Sequence, residues 1–303
     1  MDQTVCKPNA GTVRRAFQFG RTYVVRPKGK HQATIVWLHG LGDNGNRAYS
    51  NPSALMSFGS WSSLLETLPL PNIKWICPTA PQRPMTLFGG FPSTACKLKK
   101  LYCVCYAFRR DTTWEISPNI NYQRYFLCYL LGFDVNELSE NAIDDIEGLD
   151  ATAAYVANLL ANEPPNIKLG VGGFSMGAAI SLYSATCFAQ GKYENGSPYP
   201  ANLSAVVGLS GWLPCAKKLN SKIEGVNEAA SRAASLPVLL CHGKGDDVVA
   251  HKFGEKSANK LSSCGFQDAT FKSYSSLGHY TIPEEMNELC VWLTSKLGLE
   301  GTS

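Results

Sequence analysis

The run Gly173-Phe174-Ser175-Met176-Gly177 sets a serine between two glycines in a G-x-S-x-G pattern. Where such a run joins a strand to a helix, the serine sits on a strained turn that lifts its hydroxyl clear of the sheet, and its neighbours must lack a Cβ that would clash. The context here is the required one: an apolar stretch, Ile167 to Phe174, precedes the serine, and a small apolar stretch, Ser175 to Ala189, follows it. A serine hydroxyl becomes a useful nucleophile only when a base takes its proton. The chain offers 5 histidines. His31 lies in a polar turn and reads as surface. His39 and His242 each follow an apolar strand and precede a glycine, where a ring hydrogen bond would hold loop backbone. His251 lies just beyond the loop after the fifth strand, and His279, in Leu277-Gly278-His279-Tyr280, follows the last strand. In serine hydrolases built on such a turn the acid and then the histidine follow the serine along the chain. That order singles out His279, with His251 second. The acid belongs after the penultimate strand, where Asp246 and Asp247 stand side by side, and spacing does not choose between them. A hole for the developing oxyanion needs two backbone donors. Met176, next after the serine, is one, and Leu41 in the glycine-rich loop His39 to Asp43 is the other. The chemistry implied is attack of Ser175 on an ester or thioester carbonyl through an acyl-enzyme.

These residues need a scaffold that brings strand ends together. Apolar runs at Thr34–Leu38, Ile73–Cys77, Ile167–Phe174, Leu203–Leu209, Pro237–Cys241 and Ala269–Tyr274 read as six strands. They are continuous rather than alternating, as strands of a parallel sheet covered on both faces are. Between them, Ile146, Leu149, Ala153, Val156 and Leu160 recur at helical spacing, and Ser175–Ala189 reads as a helix buried against the sheet. Pro283 to Leu297 opens with Pro and two glutamates, a good helix N-terminus. Alternating strands and helices predict an α/β fold with a mostly parallel central sheet and helices on both faces.

Composition narrows the classes further. The chain has 303 residues, 45% hydrophobic and 17% charged, within the range of a single globular α/β domain. A net charge of +4 without a Lys/Arg run argues against nucleic acid. No window reaches the roughly 18 apolar residues of a membrane helix, and Met1 to Gly11 lacks a signal-peptide core, so a cytoplasmic protein with at most peripheral membrane contact is expected. The 11 cysteines read as reduced thiols, and Cys103-Val104-Cys105, with no second pair at ligand spacing, implies no metal site.

With these pieces in place the sequence resembles the phospholipase/carboxylesterase family of α/β-hydrolases, and within it the plant acyl-protein thioesterases. The matching stretches are Trp37-Leu-His-Gly-Leu-Gly-Asp43, Pro78-Thr-Ala-Pro-Gln-Arg-Pro84, Gly89-Gly90, Gly172-Gly-Phe-Ser-Met-Gly177, Leu209-Ser-Gly-Trp-Leu-Pro214, His242-Gly-x-x-Asp246 and Gly278-His279. The resemblance implies Ser175, Asp246 and His279 as the triad, so it selects Asp246 over Asp247, and Leu41 and Met176 as oxyanion donors. It implies S-acylated proteins, lysophospholipids or small esters as substrates, and no cofactor. Met85, Leu87 and Phe88 are expected to line an acyl groove, or else to serve as loop packing.

The chain departs from the family at three places. Ala250 stands where a proline is usual. The stretch 46–59 separates Asp43-Asn44-Gly45 from Ser60-Trp61. The stretch 96–132 separates Ser93-Thr94-Ala95 from Phe133-Asp134, where the family runs directly through Trp-Phe-Asp. Cys96-Lys97 can be encoded TGT-AAG, which contains a splice donor. A GGG codon for Gly132 after a codon ending in A supplies the acceptor, and excision would regenerate a Trp codon. Residues 96–132 therefore read as a translated intron, with a lid insertion as the rival. A single α/β-hydrolase domain over 1–303, interrupted at 46–59 and 96–132, is expected. Two other classes stay open: a broad carboxylesterase or lysophospholipase, and a hydrolase-like binding protein impaired by the insertion.

Overall fold

The computed structural model describes residues 19–40, 61–81, 133–139 and 142–299. Leu41, the expected groove residues Met85, Leu87 and Phe88, and both interrupting stretches lie outside the described residues. Within them the chain runs β1 (Thr22–Val25), β2 (Ala33–Leu38), α1 (Trp61–Thr67), β3 (Ile73–Pro78), α2 (Ile146–Ala161), β4 (Lys168–Phe174), α3 (Met176–Gln190), β5 (Leu203–Leu209), α4 (Leu219–Ile223), α5 (Asn227–Ser235), β6 (Val238–Gly243), α6 (His251–Ser263), β7 (Ala269–Tyr274) and α7 (Pro283–Leu297). The strands form one seven-stranded sheet in the order β1-β3-β2-β4-β5-β6-β7. Every pairing is parallel except β1 with β3. The six expected strands are all present. The antiparallel β1 was not foreseen, because Thr22-Tyr-Val-Val25 is a short edge strand of mixed burial rather than a buried run.

Because side chains alternate across a strand, each central strand feeds two cores. Val36, Leu38, Val171, Val206 and Leu240 pack with α2, α3 and α6 on one face. Ile35, Trp37, Trp75, Val207, Leu239 and Cys241 pack with α1 and α7 on the other. Helix α3 is buried along its length from Met176 to Ala189, which its small residues permit. Its larger side chains, Ile180, Leu182, Tyr183 and Phe188, each contribute on the order of 2 kcal/mol by leaving water. The helix that starts at Ser175 is therefore fixed by the core rather than by the site it serves. Helix α2 is capped by Asp145, whose Oδ1 accepts from the Gly148 N–H at 3.0 Å. The other Asp145 oxygen accepts from Asp134 N–H at 2.8 Å, so the chain just past 96–132 is tied to this cap.

Candidate active site

The site lies at the C-terminal ends of β4, β6 and β7, as expected for a parallel sheet. Ser175 has φ 58° and ψ −118°, a left-handed region that costs a non-glycine residue on the order of 1–3 kcal/mol. The turn is held by Ser175 N–H donating to Leu209 O at 2.8 Å and by Ser175 O accepting from Ala179 N–H at 3.1 Å. Serine at a helix N-cap ordinarily spends its oxygen on a backbone amide. Here the side chain makes no such bond, so the hydroxyl stays free. The flanking glycines are explained by what they touch. A Cβ on Gly177 would lie 2.2 Å from Leu38 O, and one on Gly173 would lie 2.5 Å from the Gly177 carbonyl carbon. The start of α3 is thus wedged against the end of β2.

His279, on the loop from β7 to α7, meets this serine. Its Nε2 accepts the Ser175 hydroxyl at 3.0 Å, and its Nδ1–H donates to Asp246 Oδ2 at 2.8 Å. The other oxygen, Asp246 Oδ1, accepts from the amides of Val248 at 3.0 Å and Val249 at 2.8 Å. Asp247 is exposed, so of the two adjacent carboxylates it is Asp246 that meets the His279 imidazole. Burial works to raise the Asp246 pKa. Hydrogen bonds from His242 and His279, the charge of a protonated His279 and the Val249 amide outweigh it, and hold the carboxyl well below the usual carboxylate range. An anionic Asp246 can only accept, which fixes the proton of neutral His279 on Nδ1 and leaves Nε2 as the acceptor facing Ser175.

The supporting loops are stitched together by backbone. Gly245 N–H donates to Leu277 O at 3.0 Å and Lys244 N–H to Tyr274 O at 2.8 Å. Gly243 is the contact point, since a Cβ there would lie 2.0 Å from Leu277 O. The Phe174 ring packs 4.8 Å from the His279 ring, centroid to centroid, and Trp61 lies 5.8 Å behind Phe174. Phe174 carried no sequence signal beyond being the variable residue before the serine, and its place beside the imidazole is a product of the tertiary fold.

The remaining histidines take other partners. His39 Nδ1–H donates to Gly40 O at 2.8 Å, and its Nε2 accepts from Ala80 N–H at 3.1 Å. Desolvation by burial lowers its pKa to about 4, so it stays neutral and braces the loop after β2. His251 Nε2 pairs with Ser273 Oγ at 2.6 Å and is not the partner of Ser175. His31, read as a surface residue, is half-buried and bonds Thr34 Oγ1 at 2.8 Å. As the first residue of α3, Met176 has an N–H that the helix leaves without an internal acceptor.

The sequence profile of the phospholipase/carboxylesterase family matches residues 20–93 and 128–296. The chain belongs to the phospholipase/carboxylesterase family. Acyl-protein thioesterase 1 of Cryptococcus neoformans var. neoformans serotype D is 31% identical over 294 residues, covering 90% of this chain and 96% of its own length. The crystal structure of Zea mays acyl-protein thioesterase 2 is 58% identical, covers 92% of this chain and 100% of its own, and superposes with a TM-score of 0.75. Arabidopsis thaliana SOBER1, at 24% identity and a TM-score of 0.55 over 88% of this chain and 99% of its own, shares the fold. As a member of this family the chain is a carboxylic ester or thioester hydrolase of α/β-hydrolase fold.

Proposed function

We propose that this hydrolase removes acyl groups from protein cysteines by acyl-enzyme chemistry, with Ser175 as nucleophile, His279 as general base and acid, and Asp246 as the group that orients the imidazole. The observation that carries the reading is the hydrogen-bonded line Ser175–His279–Asp246, at 3.0 and 2.8 Å. Ser175 Oγ attacks the thioester carbonyl carbon while its proton passes to His279 Nε2. The Met176 amide, with Leu41 as second donor, holds the oxyanion. Collapse breaks the C–S bond, and the departing sulfur takes the proton from Nε2. Water then attacks the acyl-serine, gives its proton to Nε2, and the acyl group leaves as a carboxylic acid while Ser175 regains its proton.

S-acylated proteins are the proposed partners, and the maize and Cryptococcus relatives, named for acyl-protein thioesterase activity, support that substrate class. A cytoplasmic setting is proposed as well. The described cysteines, Cys77, Cys187, Cys215, Cys241, Cys264 and Cys290, are free thiols, which suits a reducing compartment. Among the described residues no helix is long and apolar enough to cross a membrane. We further propose that 1–303 is one hydrolase domain with interruptions at 46–59 and 96–132. The interval between the two family-matched segments, 20–93 and 128–296, supports the second of these.

The test is fluorophosphonate labelling of three proteins: the chain as it stands, Ser175→Ala, and a version with 96–132 replaced by Trp. Labelling of the full chain that is lost in Ser175→Ala is expected. Labelling confined to the shortened form would support the retained-intron reading and an inactive long form. Hydrolysis rates on an S-acylated peptide and on a lysophospholipid then separate a thioesterase from a broad carboxylesterase or lysophospholipase.

A further inference from the structure

Asp246 serves two imidazoles, and only one of them faces Ser175. His242, the next-to-last residue of β6, is buried with its Nε2 2.8 Å from Val249 O. The same nitrogen is 3.4 Å from Asp246 Oδ2, and the side-chain exposures of this pair are 1% and 0%. A carbonyl only accepts, so Nε2 of His242 carries the proton and gives it to the Val249 carbonyl, with the carboxylate oxygen that receives His279 Nδ1–H next to that same N–H. His242 thus closes a ring: β6 to Asp246, Asp246 Oδ1 to the Val249 amide, and the Val249 carbonyl back to β6. Its position is enforced from behind by α6. A Cβ on Gly254 would lie 2.3 Å from His242 Nδ1, and the His251 ring stands edge-on at 5.8 Å.

We propose that His242 is a positioning residue for the hydrolytic site, donating to Asp246 and clamping Val249 so that the carboxylate accepts from His279 with a fixed direction and a moderated strength. The inference rests on the reading of Ser175, His279 and Asp246 as the catalytic residues. The physical argument is competition for one oxygen. A second N–H beside Asp246 Oδ2, 3.4 Å away, draws on the same negative charge and weakens its hold on a protonated His279. Removing that donor leaves His279, among the described residues, the only side chain bonding this oxygen, so the imidazolium is held more tightly and the acid limb of the rate profile moves up in pH. The groups facing this centre are His279 from the β7–α7 loop, Asp246 itself, and His251 from α6, which is influenced in turn by Glu255 and Lys244. From the end of β4 and the turn into α3, Phe174 and Ser175 present no charge.

The test compares full-length wild type with His242→Leu, His242→Gln and His242→Asn, reading kcat and kcat/KM on a small p-nitrophenyl ester from pH 5 to 9. A glutamine amide can reach the distance of Nε2, and an asparagine amide falls short of it. His242→Leu is expected to raise the acid limb by about half a unit or more and to lower kcat roughly three- to thirtyfold, with KM within about twofold. His242→Gln should return most of both effects, and His242→Asn should not. A rate loss in His242→Leu with the acid limb unmoved would overturn the proposal and leave His242 a packing residue. If His242→Leu does not fold, equal pH profiles for the Gln and Asn variants would overturn it in the same way. Ser175→Ala keeps the two readings apart: turnover that survives in that variant defeats the catalytic reading and this one with it, whereas loss of turnover there with unshifted His242 variants defeats only the role of His242.

Discussion

Glu285 is a carboxylic acid placed where a carboxylate is costly. It sits in the first turn of α7, fully buried, and among the described residues neither of its oxygens makes a well-formed hydrogen bond. Burial pushes its pKa from 4.5 up to about 8, against a smaller opposing pull from the Ile282 backbone N–H. The folded-state pKa therefore lies above the unfolded one. From about pH 4.5 to about pH 8 the folded chain keeps a proton that the unfolded chain has released. The stability this proton confers is fully present below the lower value and is lost as pH rises through the upper one. At about 1.4 kcal/mol per unit, the loss across the window is on the order of 5 kcal/mol, a large fraction of the stability of an ordinary domain. Glu285→Gln keeps the shape and removes the titration, while Glu285→Met also removes the buried polar group. Urea unfolding of wild type and both variants at pH 5, 7 and 9, with only the wild-type-minus-variant difference read, isolates this group from every other one that titrates. Wild type should lose several kcal/mol relative to Glu285→Gln between pH 5 and 9, and Glu285→Met should be the most stable of the three at pH 9. A difference between wild type and Glu285→Gln that stays constant with pH to within about 0.5 kcal/mol would refute the reasoning, because a solvated or paired carboxyl carries no such linkage.

Other substitutions probe the site and its scaffold. Asp246→Asn should lower kcat by about 10³–10⁴ by allowing the wrong imidazole tautomer, while Asp247→Asn, at an exposed position, should leave kcat on a p-nitrophenyl ester within about twofold; equal losses in the two would mean the acid is misassigned. Gly177→Ala puts a methyl 2.2 Å from Leu38 O and should cost about 2 kcal/mol or more in urea unfolding together with most of the fluorophosphonate labelling, and a stable, fully labelled variant would show that the elbow tolerates a Cβ. Ala250, with φ −54° at the residue before α6, already has the backbone of a proline. Ala250→Pro should raise stability by about 0.4–1 kcal/mol through the unfolded chain, measured as a higher urea midpoint, and a lower midpoint would mean that the preceding Val249 cannot accept the restriction.

Local sequence determined a good deal of this protein. The elbow at Gly173–Gly177 and five of the six expected strands as buried parallel elements follow from short-range pattern. A buried parallel strand is apolar along its length, and a strained turn needs glycine. β7 is the exception among them, present where expected but only half-buried at the sheet edge. What escaped the pattern was governed by partners far along the chain. β1 exists because its backbone pairs with β3 some fifty residues on, not because its own residues demand a strand. The choice of Asp246 over Asp247 depends on which carboxylate faces an imidazole 33 residues away, and adjacent residues on one loop differ in that respect only once the loop is folded. Phe174 beside His279, Gly243 against Leu277 O, and His242 behind Asp246 are likewise meetings between β4, β6 and the β7–α7 loop. The sequence by itself supplied the reactive groups and the strand ends that carry them. The tertiary structure decided which groups touch, because hydrogen bonds of 2.8–3.0 Å are set by the packing of whole elements rather than by spacing along the chain.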